Sequence, residues 1–136
     1  MYTIKEVSKI MDVSEHTLRF WAKNGFFPSI TRDANNIRLF SDHDLGWVKI
    51  VKCLRSVGTE TKAIKRYIDL CLVGDSTIPE RYGIIKATKI KALKQMEELK
   101  KQLEVLDYKE NYYEDLIRNN TCDKFNPANN IKETIS

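Results

Sequence analysis

A heptad pattern between Ile78 and Ile117 constrains this fold more than any other feature of the chain. Apolar residues recur there in two registers of seven. The registers are Ile78, Ile85, Ala92, Leu99, Leu106 and Tyr113, and Tyr82, Lys89, Met96, Leu103, Glu110 and Ile117. Such a pattern predicts one long helix, about 60 Å at 1.5 Å per residue. The remaining positions are mostly charged, so the seam requires a partner helix, most simply from a second copy.

Two polar seam residues, Lys89 and Glu110, predict how the two helices run. In an antiparallel pair, facing residues have numbers that sum to about 202, as Leu99 and Leu103 do. Lys89 and the second copy's Glu110 then lie in adjacent layers and attract, whereas a parallel pair stacks like charges. The sequence therefore predicts an antiparallel coiled coil. We expect dimerisation through Ala92, Met96, Leu99, Leu103, Leu106 and Tyr113.

The N-terminal segment predicts two short helices joined by a tight turn. Thr3 and Glu6 have the spacing of a capping box that starts the first helix. Ser14 is an N-cap residue for the second helix, and Gly25 is suited to end it. A short helix, a tight turn and a polar second helix are typical of a helix-turn-helix.

A β-hairpin is predicted directly after this second helix. Pro28 prevents the helix from continuing, and Asn35-Asn36 suits a tight turn between two short strands. Such a hairpin is a wing beside the recognition helix. Further helices are predicted from Ser41 to Gly58, with Asp44 completing a capping box, and from about Thr61 to Gly74. Thr77 and Glu80 predict a third capping pair before the long helix.

Composition excludes several classes of protein. No segment reaches the roughly 20 apolar residues that span a bilayer, and the first residues lack the apolar run of a signal peptide, so we expect a cytoplasmic chain. The three cysteines are widely spaced and contain no C-x-x-C pair, which argues against a disulfide framework, a metal site or a cofactor. No nucleophile–base set or phosphate loop occurs, so an enzyme is not expected. The net charge of +4 is compatible with nucleic acid binding.

The segments "MYTIKEVSKIMDVSEHTLRFWAKNGFFP" and "RDANNIRLFSDHDL" resemble the winged helix-turn-helix of MerR-family transcription regulators. The resemblance continues through "IVKCLRSVGTETKAIKRYIDLCLVGD" and the long helix, to about residue 118. Within the family, "KCLR" and "LCLVGD" resemble the small aldehyde- or thiol-responsive branch, which is AdhR/NmlR-like. The implied protein is a mainly α-helical homodimer with a small β-hairpin. It would bend and untwist double-stranded promoter DNA in the bacterial nucleoid and act indirectly on RNA polymerase.

The resemblance also implies which side chains contact DNA. Arg19 on the recognition helix is the first choice, and Arg32 and Arg38 would serve the wing. The implied set is Lys5, Ser14, His16, Thr17, Arg19, Phe20, Trp21, Arg32 and Arg38. The family usually has tyrosines at Phe20 and Trp21, and either of these aromatic residues could instead pack in the core. The wing tip also differs, with Asn36-Ile37-Arg38 where the family usually has Gly-Tyr-Arg.

Cys53 is the candidate sensing thiol. It falls beside Ile50 and Val57 at the rim of an apolar helix face, with Lys49 one turn earlier and Lys52 and Arg55 nearby. Nearby cations stabilise a thiolate, although a buried, unreactive cysteine is the alternative interpretation. Cys71 shares a stripe with Tyr67 and is expected in the core, and Cys122 lies in a polar tail.

The predicted organisation has three parts. Residues 1–75 form the winged helix-turn-helix domain with two accessory helices, residues 76–118 the dimerisation helix, and residues 119–136 a short tail. The preferred function is a promoter-binding regulator activated by electrophile or aldehyde modification of Cys53. The same regulator with a non-covalent ligand or no effector, and a DNA-architectural winged-helix protein, are the alternatives.

Overall fold

The computed structural model describes residues 1–129 and is predominantly helical. In chain order, the N-terminal elements are β1 (Tyr2–Thr3), α1 (Ile4–Met11), α2 (Glu15–Lys23), β2 (Thr31–Arg32) and β3 (Arg38–Phe40). They are followed by α3 (Asp42–Ser56), α4 (Thr61–Val73) and α5 (Ile78–Asn119). The predicted tail continues to residue 136, and its last part, residues 130–136, lies outside the described residues.

Two of the three predicted capping boxes form. The Thr3 hydroxyl accepts from the backbone N–H of Glu6 at 3.2 Å, and the Glu6 carboxylate accepts from the backbone N–H of Thr3 at 3.0 Å. Ser41 and Asp44 form the same reciprocal pair at the start of α3. Each box satisfies backbone donors that a helix start otherwise leaves without partners. These pairs fix where α1 and α3 begin.

The third predicted box, Thr77 with Glu80, is not formed. A 3₁₀ turn, Asp75–Thr77, precedes α5, so Thr77 lies inside a helical turn rather than at an N-cap. Its hydroxyl donates instead to the carbonyl of Leu70 at 2.6 Å. Glu80 forms an ion pair with Arg66 of α4. This prediction was wrong because the turn between α4 and α5 is itself helical.

A three-stranded antiparallel sheet has the order β1-β3-β2. The hairpin of β2 and β3 confirms the predicted wing, with Thr31 opposite Leu39. Strand β1 was not predicted. It pairs Tyr2 with Phe40 and so attaches the start of the chain to the wing.

The core of the winged domain lies under one face of each of the helices α1 to α4. The fully buried apolar residues come from all four helices, from the wing and from the segment between α2 and β2. They include Val7, Leu18, Phe26, Phe40, Val48, Val51, Ile64 and Ile68. This shared core gives α2 and the wing fixed positions in the same domain.

The chain divides into two compact units, the first of which is Met1–Ala92 and the second of which begins at Leu93. The first part of α5 belongs to the first unit, so this division lies inside the helix. No residue of α5 is buried, and its large apolar seam side chains are exposed, Leu99 at 62% and Ile117 at 81%. Within residues 1–129, no helix is both long and apolar enough to cross a membrane.

Candidate nucleic-acid interface and thiol sites

The start of α2 is held by its own polar residues. The Ser14 hydroxyl accepts from the backbone N–H of Thr17 at 3.1 Å and donates to the Thr17 hydroxyl at 2.8 Å. This pairing caps the helix and fixes Ser14 and Thr17, two of the predicted DNA-contact residues, at its N-terminal end. His16 lies between them and is exposed. The first turn of α2 therefore presents a donor- and acceptor-rich surface of the kind that reads base edges.

Three predicted arginines converge on one shallow depression of about 200 Å³. Arg19 comes from α2, Arg32 from β2 and Arg38 from β3, so the second helix and both strands of the wing supply the charges. Arg32 and Arg38 are cross-strand neighbours, which places like charges side by side. The ion pair of Arg19 with Glu15, at 3.6 Å, is solvent-exposed and therefore weak. A bound anion such as a DNA phosphodiester would relieve the repulsion between Arg32 and Arg38.

Local hydrogen bonds hold the wing turn in shape. The Asp33 carboxylate accepts from the backbone N–H groups of Asn35 at 2.8 Å and Ile37 at 3.0 Å. Asn36 has a φ of 62°, a conformation that asparagine tolerates better than most residues. The guanidinium of Arg32 donates to the Asn36 carbonyl at 2.8 Å. Arg32 therefore supports the turn as well as contributing charge.

The two adjacent aromatic residues of α2 have opposite environments. Phe20 is 53% exposed, whereas Trp21 is 6% exposed and belongs to the core cluster. Phe20 is thus available to a ligand on the surface of α2. Trp21 has a packing role, and its contact with DNA stays a prediction. Lys5 is exposed on α1, as a phosphate contact requires.

Cys53 is exposed and lines an apolar groove of about 330 Å³ between α3 and the first part of α5. Two of the cations near it in sequence are engaged elsewhere. Lys52 donates to the carbonyl of Met11 at 2.9 Å, and Arg55 donates to the carbonyl of Thr59 at 2.8 Å. The setting of Cys53 is therefore more apolar than the sequence predicted.

Cys71 lies at the edge of the core. It is half-buried and lines an open cavity of about 390 Å³ with His43 and Trp47. The Arg81 guanidinium approaches its sulfur to 4.0 Å. Burial raises the pKa of Tyr67, and the neighbouring Cys71 raises it further. Tyr67 thus remains a neutral phenol beside this thiol at physiological pH.

Cys122 is exposed in the segment that follows α5. It lines a depression of about 510 Å³ with Tyr112 and Phe125. The Tyr112 hydroxyl donates to Asp123 at 2.6 Å, and this hydrogen bond raises the pKa of Tyr112. In residues 1–129, no group of three or more metal-ligating side chains comes together.

Sequence reasoning missed the structural role of Lys52. Its partner is a backbone carbonyl 41 positions away, and no sequence pattern marks such a partner. The bond ties α3 to the end of α1, next to the turn of the helix-turn-helix. Lys91 makes a longer contact of the same kind, 3.5 Å from the carbonyl of Gly58.

Comparisons with known proteins agree with this architecture. Residues 2–71 match the model of the MerR HTH family regulatory proteins. An uncharacterized HTH-type transcriptional regulator of Haemophilus influenzae is 35% identical over 113 residues, which are 83% of this chain and 84% of that protein. The HTH-type transcriptional regulator AdhR of Bacillus subtilis is 30% identical over 82 residues, 60% of this chain and 59% of AdhR.

Solved structures show the same relationship. HiNmlR, a MerR family regulator lacking the sensor domain and crystallised bound to promoter DNA, superimposes with a TM-score of 0.78 at 34% identity. That match covers 86% of this chain and 93% of HiNmlR. A MerR family transcriptional regulator from Bacillus thuringiensis gives a TM-score of 0.76 at 29% identity, covering 82% of this chain and 98% of that one. The chain belongs to the MerR family of helix-turn-helix transcriptional regulators.

Proposed function

We propose that this MerR-family regulator binds promoter DNA as a homodimer through α2 and the wing. The observation that carries the proposal is the convergence of Arg19, Arg32 and Arg38 on one surface. Three cations, one from α2 and two from the wing, match a DNA backbone that curves past a helix and its adjoining wing. The promoter-bound structure of HiNmlR, 34% identical to this chain, supports the same use of the fold.

In the proposed complex, the N-terminal turn of α2 enters the major groove. Ser14, His16 and Thr17 lie there and would face base edges, while Arg19 and Phe20 lie one turn further along α2. Lys5 and the wing arginines would bind phosphates on either side. This division separates side chains that read sequence from those that fix position.

The coiled coil sets the spacing of the two winged domains. Residues 1–75 form the DNA-binding domain and residues 76–118 the dimerisation helix, whose exposed seam pairs antiparallel with a second copy. Two recognition helices at fixed separation suit a pseudo-palindromic site. Binding energy from phosphate contacts then deforms the spacer DNA, which changes how RNA polymerase engages the promoter.

Cys53 is the proposed effector site. Its thiol is exposed in a groove between α3, a helix of the winged domain, and α5, the dimerisation helix. An adduct there would alter packing between the DNA-binding and dimerising parts of the protein. A non-covalent apolar ligand is the second candidate, because the same groove has room for a small molecule. In vitro transcription with candidate electrophiles separates the two: Cys53→Ala abolishes a covalent response and leaves a non-covalent one in place.

A gel shift on the DNA upstream of the gene tests the core proposal. Arg19→Ala should weaken binding and lower the salt slope by about one unit, because one phosphate or base contact is lost. Lys101→Ala is the matched control, since it removes an exposed cation from the middle of α5, outside the seam positions. Equal affinity and equal salt dependence in the wild type and both variants would contradict the proposed interface. The alternative function, a DNA-architectural protein, is separated by the in vitro transcription assay, because such a protein would bind and bend DNA without changing transcription.

A further inference from the structure

We propose that Arg81 is a positioning residue that fixes the direction in which α5 leaves the winged domain. Its guanidinium joins the start of α5 to the end of α4 and to the turn between the two helices. The inference rests on the proposed homodimer, in which that direction decides how far apart the two recognition helices are held. Arg81 thereby selects the separation of the two DNA half-sites that the protein prefers.

The contacts of Arg81 lie on successive parts of the junction between α4 and α5. Its Nη2 donates to the carbonyl of Gly74 at 3.1 Å, and its Nε donates to the hydroxyl of Thr77 at 2.9 Å. Its Nη1 lies 4.0 Å from the sulfur of Cys71, inside α4. A planar guanidinium presents its donors in a rigid fork, so these contacts together favour one orientation of α5 relative to the end of α4.

Thr77 extends this network to the last turn of α4. Its hydroxyl, which accepts from Arg81, lies 2.6 Å from the carbonyl of Leu70 and 2.8 Å from that of Gly74. Carbonyls around the C-terminus of a helix are short of donors within the helix, and the helix dipole favours a cation beside them. Arg81 and Thr77 therefore stabilise the end of α4 through groups that belong to the turn and to α5.

The turn itself leaves the angle between the helices open. Gly74 has a φ of 111°, a conformation that glycine adopts without strain. The residues after it, Asp75–Thr77, form a single 3₁₀ turn before α5 begins. A short turn that contains a glycine has several conformations available, so contacts across it are needed to fix the angle. Arg81 and Thr77 supply such contacts.

A second link between α4 and α5 is much weaker. Arg66 of α4 forms an ion pair with Glu80 of α5, and the two side chains are 64% and 47% exposed. Exposed ion pairs contribute little to stability, and salt screens them. The acceptors of Arg81 are a carbonyl and a hydroxyl in a half-buried setting. Arg81 is therefore the stronger constraint on the junction.

The angle at this junction bears on the DNA site that the protein prefers. The recognition helix α2 and the wing lie before the junction, and the heptad seam follows it. In a symmetric dimer, a change of angle acts at both junctions and shifts both recognition helices. Each base pair between two half-sites adds about 3.4 Å of separation and about 35° of rotation. A junction of variable angle follows such a change, whereas a fixed junction resists it.

Binding to sites of altered length tests this role on the full chain. Footprinting of the DNA upstream of the gene locates the two half-sites, and gel-shift probes then carry one base pair more or one fewer between them. We expect the wild type to bind one spacing best. Arg81→Met keeps most of the side-chain length but removes every donor, and it should reduce this preference several-fold. Arg81→Lys should restore part of it, because an ammonium group still donates to the Gly74 carbonyl.

The ratio of affinities between probes separates positioning from a merely structural role. A variant that is only destabilised loses affinity for every probe by the same factor, so its ratio equals that of the wild type. Such an unchanged ratio in Arg81→Met would overturn the proposal. Arg66→Met is the matched control, because it removes an exposed cation that joins the same two helices. A loss of preference in this control as large as that in Arg81→Met would also overturn the proposal.

Thr77→Val tests the same network if Arg81→Met fails to fold, as judged by circular dichroism. It removes the hydroxyl that accepts from Arg81 and keeps the shape of the side chain, so the preference for one spacing should again fall. A folded Thr77→Val protein with the wild-type preference would count against the proposal. A wild type whose spacing preference survives in Arg81→Met and Thr77→Val overturns this inference alone. A wild type that binds no probe overturns the proposed DNA interface, and one that binds all spacings equally overturns the fixed separation of the homodimer.

Discussion

The hydroxyl of Ser29 donates a 2.5 Å hydrogen bond to the carboxylate of Asp44, which is fully buried. The other carboxylate oxygen accepts from the backbone N–H of Ser41 at 2.8 Å and from its hydroxyl at 3.0 Å. Ser29 precedes the wing, and Asp44 lies in the first turn of α3, the helix that follows the wing. One carboxylate therefore joins the two ends of the segment that contains the wing.

Asp44→Ala should lower the free energy of unfolding by about 2–4 kcal/mol, because it leaves buried donors without an acceptor. Urea unfolding followed by circular dichroism measures the change. Asp42→Asn is the comparison: Asp42 accepts from the Tyr2 hydroxyl at 2.9 Å at the exposed surface, and its loss should cost less than about 1 kcal/mol. Similar losses in the two variants would contradict the role given to Asp44.

Glu6 predicts a pH-dependent stability. The hydrogen bond from the backbone N–H of Thr3, and then that from the Thr3 side chain, hold the pKa of Glu6 below its ordinary value of 4.5. A lowered pKa in the folded state stabilises the protein above the unfolded value, and the effect disappears as the pH falls through the folded value. The advantage of the wild type over Glu6→Gln should therefore be largest near neutral pH.

Urea midpoints measured from about pH 7 down to about pH 3 test this prediction. The difference between the wild type and Glu6→Gln should shrink below pH 4.5. Glutamine retains an acceptor at the same position of the capping box, so the comparison isolates the charge. A difference that is constant across this pH range would show that the negative charge of Glu6 contributes nothing to the stability of the fold.

Local spacing explains which elements could be predicted from the sequence. The boxes of Thr3 with Glu6 and of Ser41 with Asp44 have both partners three residues apart, so the pattern is complete within a short window. The hairpin follows from Asn35-Asn36, and α5 follows from repeated heptads. In each case the physical cause is local along the chain.

Contacts between distant residues explain what could not be predicted. Strand β1 has two residues and exists because Tyr2 meets Phe40 across the fold. Ser29 reaches Asp44, and Lys52 reaches the carbonyl of Met11, without any sequence signal. In the candidate site, arginine placement on α2 and the wing was predictable. The environment of Cys53 was not, because neighbours in sequence point to different partners in space.

The wing turn gives a prediction about DNA affinity. Asn36→Val should weaken DNA binding, because a β-branched residue is strained at a φ of 62° and the turn would shift Arg32. Asn36→Gly should keep the affinity close to that of the wild type, since glycine adopts this conformation without strain. Gel shifts of both variants at one salt concentration make the measurement. Equal DNA affinities of the Asn36→Val and Asn36→Gly proteins would contradict a contact between the wing and DNA.

The seam of α5 gives the last prediction, which concerns assembly and DNA binding together. Leu99 lies at the centre of the predicted antiparallel pairing and is 62% exposed in the single chain. Leu99→Asp should convert the dimer to a monomer, because it places two carboxylates next to an apolar layer. Analytical ultracentrifugation measures the mass, with Ile90→Asp as a control that is 60% exposed but outside the seam. DNA affinity should fall with the dimer, since two linked winged domains bind a two-part site more tightly than one. A Leu99→Asp protein that remains dimeric would place the dimer contact on another surface.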